Sequence, residues 1–192
     1  MAIAKNGVTA NTPKEVLFGH GVFYKNLKFE SNDWVGTLLG ATSGGGKITI
    51  TPEYTPIEVD GALVKVKGFT KKTGEAGVME LTMTEANEGL IKEQLHLVED
   101  TENSVTGYKK LVTKADLTDD DYLENIAFVG KRLDGQNIIV IMENALCTSA
   151  FEVEAKNKTQ GTYAMTFECS ADPESGDLEK LPISIYVPTA TI

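Results

Sequence analysis

The dominant pattern along the chain is a two-residue alternation of apolar and polar side chains. Over residues 78–84, Met79, Leu81 and Met83 fall on one side and Glu80, Thr82 and Thr84 on the other, which predicts a strand with one buried face. The same period groups Tyr163, Met165, Phe167 and Cys169, and sets Phe151, Val153 and Ala155 against Glu152, Glu154 and Lys156. With the polar turn at 157–161 between them, these last two segments read as a hairpin. A second hairpin is predicted for 122–133 and 137–146, because Asp134-Gly135 separates them and that dipeptide favours a tight turn. Residues 138–142, IIVIM, are apolar on both faces and read as the most buried strand. Residues 108–115 and 181–187 complete the set.

Helical periodicity is confined to 85–98. There Leu90, Ile91, Gln94, Leu95 and Val98 form one face, Thr84 is positioned as a cap, and Glu85 and Glu88 suit the positive first turn. Residues 117–121, LTDDD, read as a turn or a single helical turn capped by Thr118. Earlier in the chain, 1–15 reads as an extended polar arm, 16–29 as short strands around a turn at His20, and 34–39 as an apolar piece beneath a glycine turn. One domain follows, of 192 residues with 41% hydrophobic content and 18 glycines. The expected fold is mainly β: two packed antiparallel sheets, sandwich or barrel, with one flanking α-helix.

Residues 40–61, GATSGGGKITITPEYTPIEVDG, admit two readings. The run from Ala41 to Lys47 imitates a phosphate-binding loop. Such a loop needs a hydroxyl after the lysine to hold magnesium, and then a helix whose N-terminus faces the phosphates. This chain has Ile48 and an alternating β-branched strand instead. The run therefore reads as a flexible turn at 43–46 feeding a long strand through Val59. Pro52 and Pro56 bar that strand from a central place in a sheet. Beyond it, residues 60–77 form a long loop or protruding hairpin carrying Lys65, Lys67, Lys71 and Lys72.

Charge and chemistry narrow the function. The net charge of −10 disfavours a nucleic-acid-binding domain, whose affinity comes from neutralising phosphates. Cys147 and Cys169 lack metal-ligand spacing, and His20 and His96 lie 76 positions apart with no signature around either, so no metal or cofactor is expected. The three consecutive aspartates from Asp119 lack the alternate spacing of a calcium loop. No nucleophile elbow is present, and no catalytic residues are assigned. Free thiols fit a protein made in a reducing cytoplasm, and no signal segment or membrane span is visible in the sequence.

The glycine run, the strand after it and PEYTPIEVDG together resemble phage tail tube proteins, the major tail proteins of long-tailed phages infecting Gram-positive bacteria. The order of later segments is similar too: the lysine-rich loop, ANEGLIKEQL, DYLENIAFVG with its DG turn, TFECSADP and LPISIYVP. The resemblance implies a structural, non-enzymatic virion protein forming homohexameric rings. These stack into a conduit for DNA ejection, assembled in the host cytoplasm and located in the virion tail. It implies tape-measure, tail terminator and distal tail proteins as partners, transient DNA passage without specific binding, and no membrane insertion of its own. Tubes of contractile or type VI-like systems share the fold, and a β-sandwich binding module is the alternative of another class. On this reading the channel-lining candidates are Thr49, Thr51, Glu80, Thr82, Thr84, Glu152 and Glu154, and Lys65, Lys67, Lys71 and Lys72 are ring-stacking candidates.

Overall fold

The computed structural model describes residues 6–102, 105–153 and 157–189. After a short helical turn, α1 (Thr12–Glu15), come β1 (Val22–Glu30), β2 (Asp33–Leu38), β3 (Thr42–Pro56) and β4 (Thr70–Met83). Helix α2 (Glu88–Leu95) is followed by the two-residue strands β5 (Val98–Glu99) and β6 (Leu111–Val112) and a 3-10 turn (Asp119–Asp121). The chain continues through β7 (Leu123–Lys131), β8 (Asn137–Cys147), β9 (Tyr163–Cys169) and β10 (Ile183–Tyr186).

Where two packed sheets are expected, the layers that pack belong to one large hydrogen-bonded sheet. Its eight strands run in the order β2-β1-β7-β8-β9-β4-β3, with β10 also paired to β8; β5 and β6 form a separate small ladder. All pairings are antiparallel. One edge of β8 serves two partners, β10 along Ile139–Met142 and β9 along Ala145–Cys147. Between them Asn144 has φ 48°, a left-handed conformation that asparagine tolerates better than most residues.

The sheet folds over so that its two halves share a core. Phe23, Ile126, Met142, Ala145 and Cys147 from β1, β7 and β8 meet Met79, Leu81, Met83, Tyr163, Met165 and Phe167 from β4 and β9. The alternation predicted for β4 and β9 is realised, and these core side chains are buried. The four buried methionines supply flexible side chains for the irregular space between bent surfaces. Gly46 on β3 also belongs to this packing, since a Cβ there would lie 2.2 Å from Phe23 Cζ. On the opposite face of β1, β7 and β8, Leu27, Ala127, Ile139 and Ile141 form a second cluster with Tyr24, Trp34 and Val129. That second cluster explains why 138–142 is apolar on both sides.

Helix α2 caps the first core. It is shorter than predicted and begins later: Leu90 N–H donates to Asn87 Oδ1 at 3.0 Å, so Asn87 is the cap. Thr84 instead ties the end of β4 to Ala41, with both its amide and its hydroxyl donating to that carbonyl. Leu90 and Gln94 are buried, whereas Leu95 is exposed and Val98 has left the helix for β5. Gln94 Nε2 reaches the carbonyls of Ala150 and Ala164, each at 2.8 Å, and thereby joins the helix to β9 and the segment before it.

Three further expectations change. The 43–46 turn lies inside β3, where the pairing with β4 shifts between Thr42 and Gly46 and both Gly44 and Gly45 have φ 79°. The glycines thus form a bulge within a strand. Residues 151–153 form no strand. Phe151 packs edge-on against Tyr163 at 5.2 Å, while β9 takes β4 as its ladder partner because both offer an apolar stripe to one core. The N-terminal arm is not wholly extended: α1 interrupts it, and near its end the Lys14 carbonyl accepts from Arg132 Nε at 3.1 Å. By contrast, the turn at 119–121 is capped by Thr118 and Asp121 as a reciprocal box.

A buried amide repairs one gap in the sheet. The β1–β7 ladder ends at Lys25–Ile126, where Asn26 has φ 54°. Asn125, buried, then accepts from Leu27 N–H at 2.8 Å and donates to the Leu27 carbonyl at 3.2 Å, replacing two ladder bonds with its side chain. Asn125→Leu leaves both backbone groups unsatisfied, and a loss of about 2 kcal/mol in urea unfolding is expected; unchanged stability would show that water satisfies them equally well.

Candidate functional site: a polar sheet face and a protruding hairpin

The surface of the β3-β4-β9 layer that faces away from the core is built from the polar positions of three alternating strands. Register places Lys47 opposite Glu80, Thr49 opposite Val78 and Thr51 opposite Ala76. On the other side of β4, Glu80 lies opposite Thr166, Thr82 opposite Ala164 and Val78 opposite Glu168. Thr49, Thr51, Glu80 and Thr82 are therefore brought together on one face. Thr84 sits just past its rim, bound to Ala41. Glu152 does not join it, because its segment is irregular, and Glu154 lies outside the described residues. The alternation around Glu152 matched a strand locally but carried no information about which ladder would accept it.

Two further residues, outside the channel-lining candidates, belong to this face. Lys47 Nζ is 3.0 Å from Glu80 Oε2, so much of the Glu80 charge is compensated locally. Glu168 accepts from the Thr148 hydroxyl at 2.9 Å and adds a negative group. Cross-strand register was the signal needed to find both. The Lys47 side chain, last in the run that imitates a phosphate-binding loop, lies beside a carboxylate on an open surface.

Strand β3 is the last in the sheet, as its two prolines predicted. It pairs with β4 out to Pro56–Thr70, while β4 pairs with β9 only from Val78 onward. The two strands thus project roughly 25 Å beyond that three-stranded layer, at about 3.3 Å per residue. The connecting loop is 57–69, narrower than the predicted 60–77. Lys65 and Lys67 lie in it; Lys71 and Lys72 are in β4, opposite Thr55 and Tyr54. Cross-strand pairing with β3 out to Thr70 makes this a protruding hairpin, one of the two forms expected for 60–77.

No family model matches the chain, and no curated protein matches it.

The nearest approach to a catalytic grouping is His96, Asp121 and Cys147. His96 ends α2 in a left-handed conformation, and its Nε2 donates to the Cys147 carbonyl at 2.8 Å, not to the thiol. Its Nδ1 is 3.9 Å from Asp121 Oδ1, beyond hydrogen-bond reach. Burial pushes the Cys147 thiol pKa up, which favours the neutral form over the nucleophilic thiolate. Cys169 is likewise raised by burial. Both thiols are free and line the same side of neighbouring strands, with Cys147 opposite Phe167 and Cys169 opposite Ala145. Among the described residues no group of three or more histidine, cysteine or carboxylate side chains is arranged to hold a metal.

Two measurements follow from this geometry. Near neutral pH, iodoacetamide is expected to leave Cys147 unmodified in the folded protein and to label it only in denaturant, read by peptide mass spectrometry; rapid native labelling would place the thiol in a reactive setting. Glu80→Gln is expected to change stability by less than about 1 kcal/mol in chemical denaturation, because its ion pair is largely solvated.

Proposed function

We propose that this chain is a structural, self-assembling subunit of a phage tail tube. The observation that carries the reading is the combination of a broad polar sheet face with a long edge strand whose outer side has no partner strand among the described residues. An unpaired edge is a template for another strand. Edge pairing between copies continues the sheet from subunit to subunit, and six copies closing on themselves form a ring with the Thr49, Thr51, Glu80 and Thr82 face toward the lumen. The sequence resemblance adds the ring number, the stacking of rings and the passage of DNA.

Short hydroxyl side chains, alanines and partly compensated charge suit a lumen that must let a polyanion pass. Clustered free lysines would bind phosphates and retain DNA, and here Lys47 is held against Glu80. Glu168 keeps the balance of the face negative. The hairpin beyond the sheet body is available for contacts between rings, consistent with the role proposed for Lys65, Lys67, Lys71 and Lys72. Tape-measure protein, terminator and distal tail proteins are the partners this role implies.

Negative-stain microscopy of concentrated protein tests the reading directly. Rings or tubes about ten nanometres wide are expected for a ring of domains this size, and a monomer persisting at all concentrations would overturn it. In a phage carrying the gene, Glu80→Gln combined with Glu168→Gln is expected to leave tubes intact and slow DNA ejection. Ejection at the normal rate would remove these carboxylates from the lumen.

A further inference from the structure

Two surface features stand apart from the polar face, at opposite ends of the strand order. One is the hairpin tip. Leu63 is 98% exposed and Val64 78% exposed, in the sequence Leu63-Val64-Lys65-Val66-Lys67, and Ile57, Val59 and Phe69 beside them are also exposed. The backbone hydrogen bonds of this loop close only on itself: Ile57 to Phe69, Ala62 to Val59 and Phe69 to Val66. A knob of this kind, apolar and accompanied by lysines, stays exposed among the described residues.

The other feature is a cleft of about 590 Å³ on the outer face of β1, β7 and β8, beneath the 171–182 segment. Its floor includes Leu27 and Ile141, and one wall is an aromatic stack. In that stack Trp34 lies between Phe29, centroids 5.2 Å apart, and Tyr186, centroids 4.8 Å apart. Its polar rim is acidic: Glu124, Glu143, Asp172 and Asp177 against Lys28 and Lys180. Both lysines are already taken, Lys28 by Glu124 at 2.6 Å and Lys180 by Asp177 at 2.8 Å. Glu143 and Asp172 carry no ion pair among the described residues. The cleft thus offers an apolar floor with two uncompensated carboxylates above it, at a size typical of sites that enclose several side chains.

We propose that the hairpin tip of one copy seats in this cleft on a second copy, with Leu63 and Val64 against the aromatic wall and Lys65 and Lys67 facing Glu143 and Asp172. The proposal rests on the reading of the chain as a self-assembling tube subunit and names the surface that receives its hairpin. Each feature supplies what the other lacks, apolar area to apolar area and cation to carboxylate, and such complementarity selects partner and register. Knob and cleft are different patches on one molecule, so the contact is head-to-tail. Repeated, such a contact adds copies in one direction, which is the geometry that stacking requires.

Charge reversal within one chain is the decisive experiment, read by sedimentation velocity and electron microscopy. Lys65→Glu with Lys67→Glu is expected to cut the stacked fraction at least about tenfold, because like charges then meet. Glu143→Lys with Asp172→Lys is expected to do the same, and all four changes together to restore it. All five sites are on exposed or rim positions, and far-UV circular dichroism confirms folding of each variant. In parallel, Leu63→Cys with Glu143→Cys is expected to form a disulfide between copies, located by mass spectrometry. Tubes that survive either reversal, or loss without rescue by the fourfold variant, overturn the tip-and-cleft contact. Tubes that persist in this way leave the tube reading standing. Absence of rings in the wild-type protein, with the 63–143 cross-link still formed, sinks the ring and keeps the contact.

Discussion

The architecture depends on one strand edge doing two jobs. Along Ile139–Met142 the edge of β8 holds β10, and along Ala145–Cys147 it holds β9. The change of partner occurs across Asn144, whose positive φ redirects the strand. Because of it, β9, β4 and β3 continue the same hydrogen-bonded sheet yet come to face β1 and β7 across a shared core. A strand continuing straight would have left the stripes of Met79, Leu81, Met83 and Met165 facing water. Burial of those side chains, each worth about 1.5–3 kcal/mol, drives the sheet to close over on itself.

That closure divides the molecule into two layers with different obligations. The β1-β7-β8 layer is apolar on both sides and carries the second cluster with the aromatic wall of the cleft. The β4-β9-β3 layer is apolar inward and polar outward, as for an antiparallel sheet with one wet face. Asn125 shows how tightly the first layer is specified: where β1 leaves the ladder, a side-chain amide takes up both backbone groups of Leu27. Gln94 plays a similar part above the core, satisfying carbonyls that the missing strand at 151–153 would otherwise have paired.

What the chain leaves unpaired is as informative as what it pairs. The outer edge of β3 and the apolar tip at 57–69 are costly features for a protein that acts alone, since exposed edges and apolar knobs invite association. Pro52 and Pro56 limit how much of the edge another strand can use. Placing lysines around Leu63 and Val64 keeps the tip soluble while giving it a charge preference. Both features are the ones on which the proposed assembly draws.

Much of this was readable from residue order. Alternation alone placed β4 and β9 and named their buried side chains; Asp134-Gly135 placed the β7–β8 turn; the prolines put β3 at an edge; Thr118 was identified as the cap of its turn. These are local properties, set by the period of the backbone and by the φ/ψ tastes of single residues. Alternation tells which face a side chain takes but not which strand lies beside it, and individual cross-strand pairs differ by less than about 1 kcal/mol. Pairing of β9 with β4, the irregular course of 151–153, the inclusion of the glycine run in β3, the compensation of Glu80 by Lys47 and the cleft assembled from Leu27 to Tyr186 were decided only when the whole sheet closed around its core. That decision is global, because each ladder partner is chosen by the apolar area the complete fold can bury.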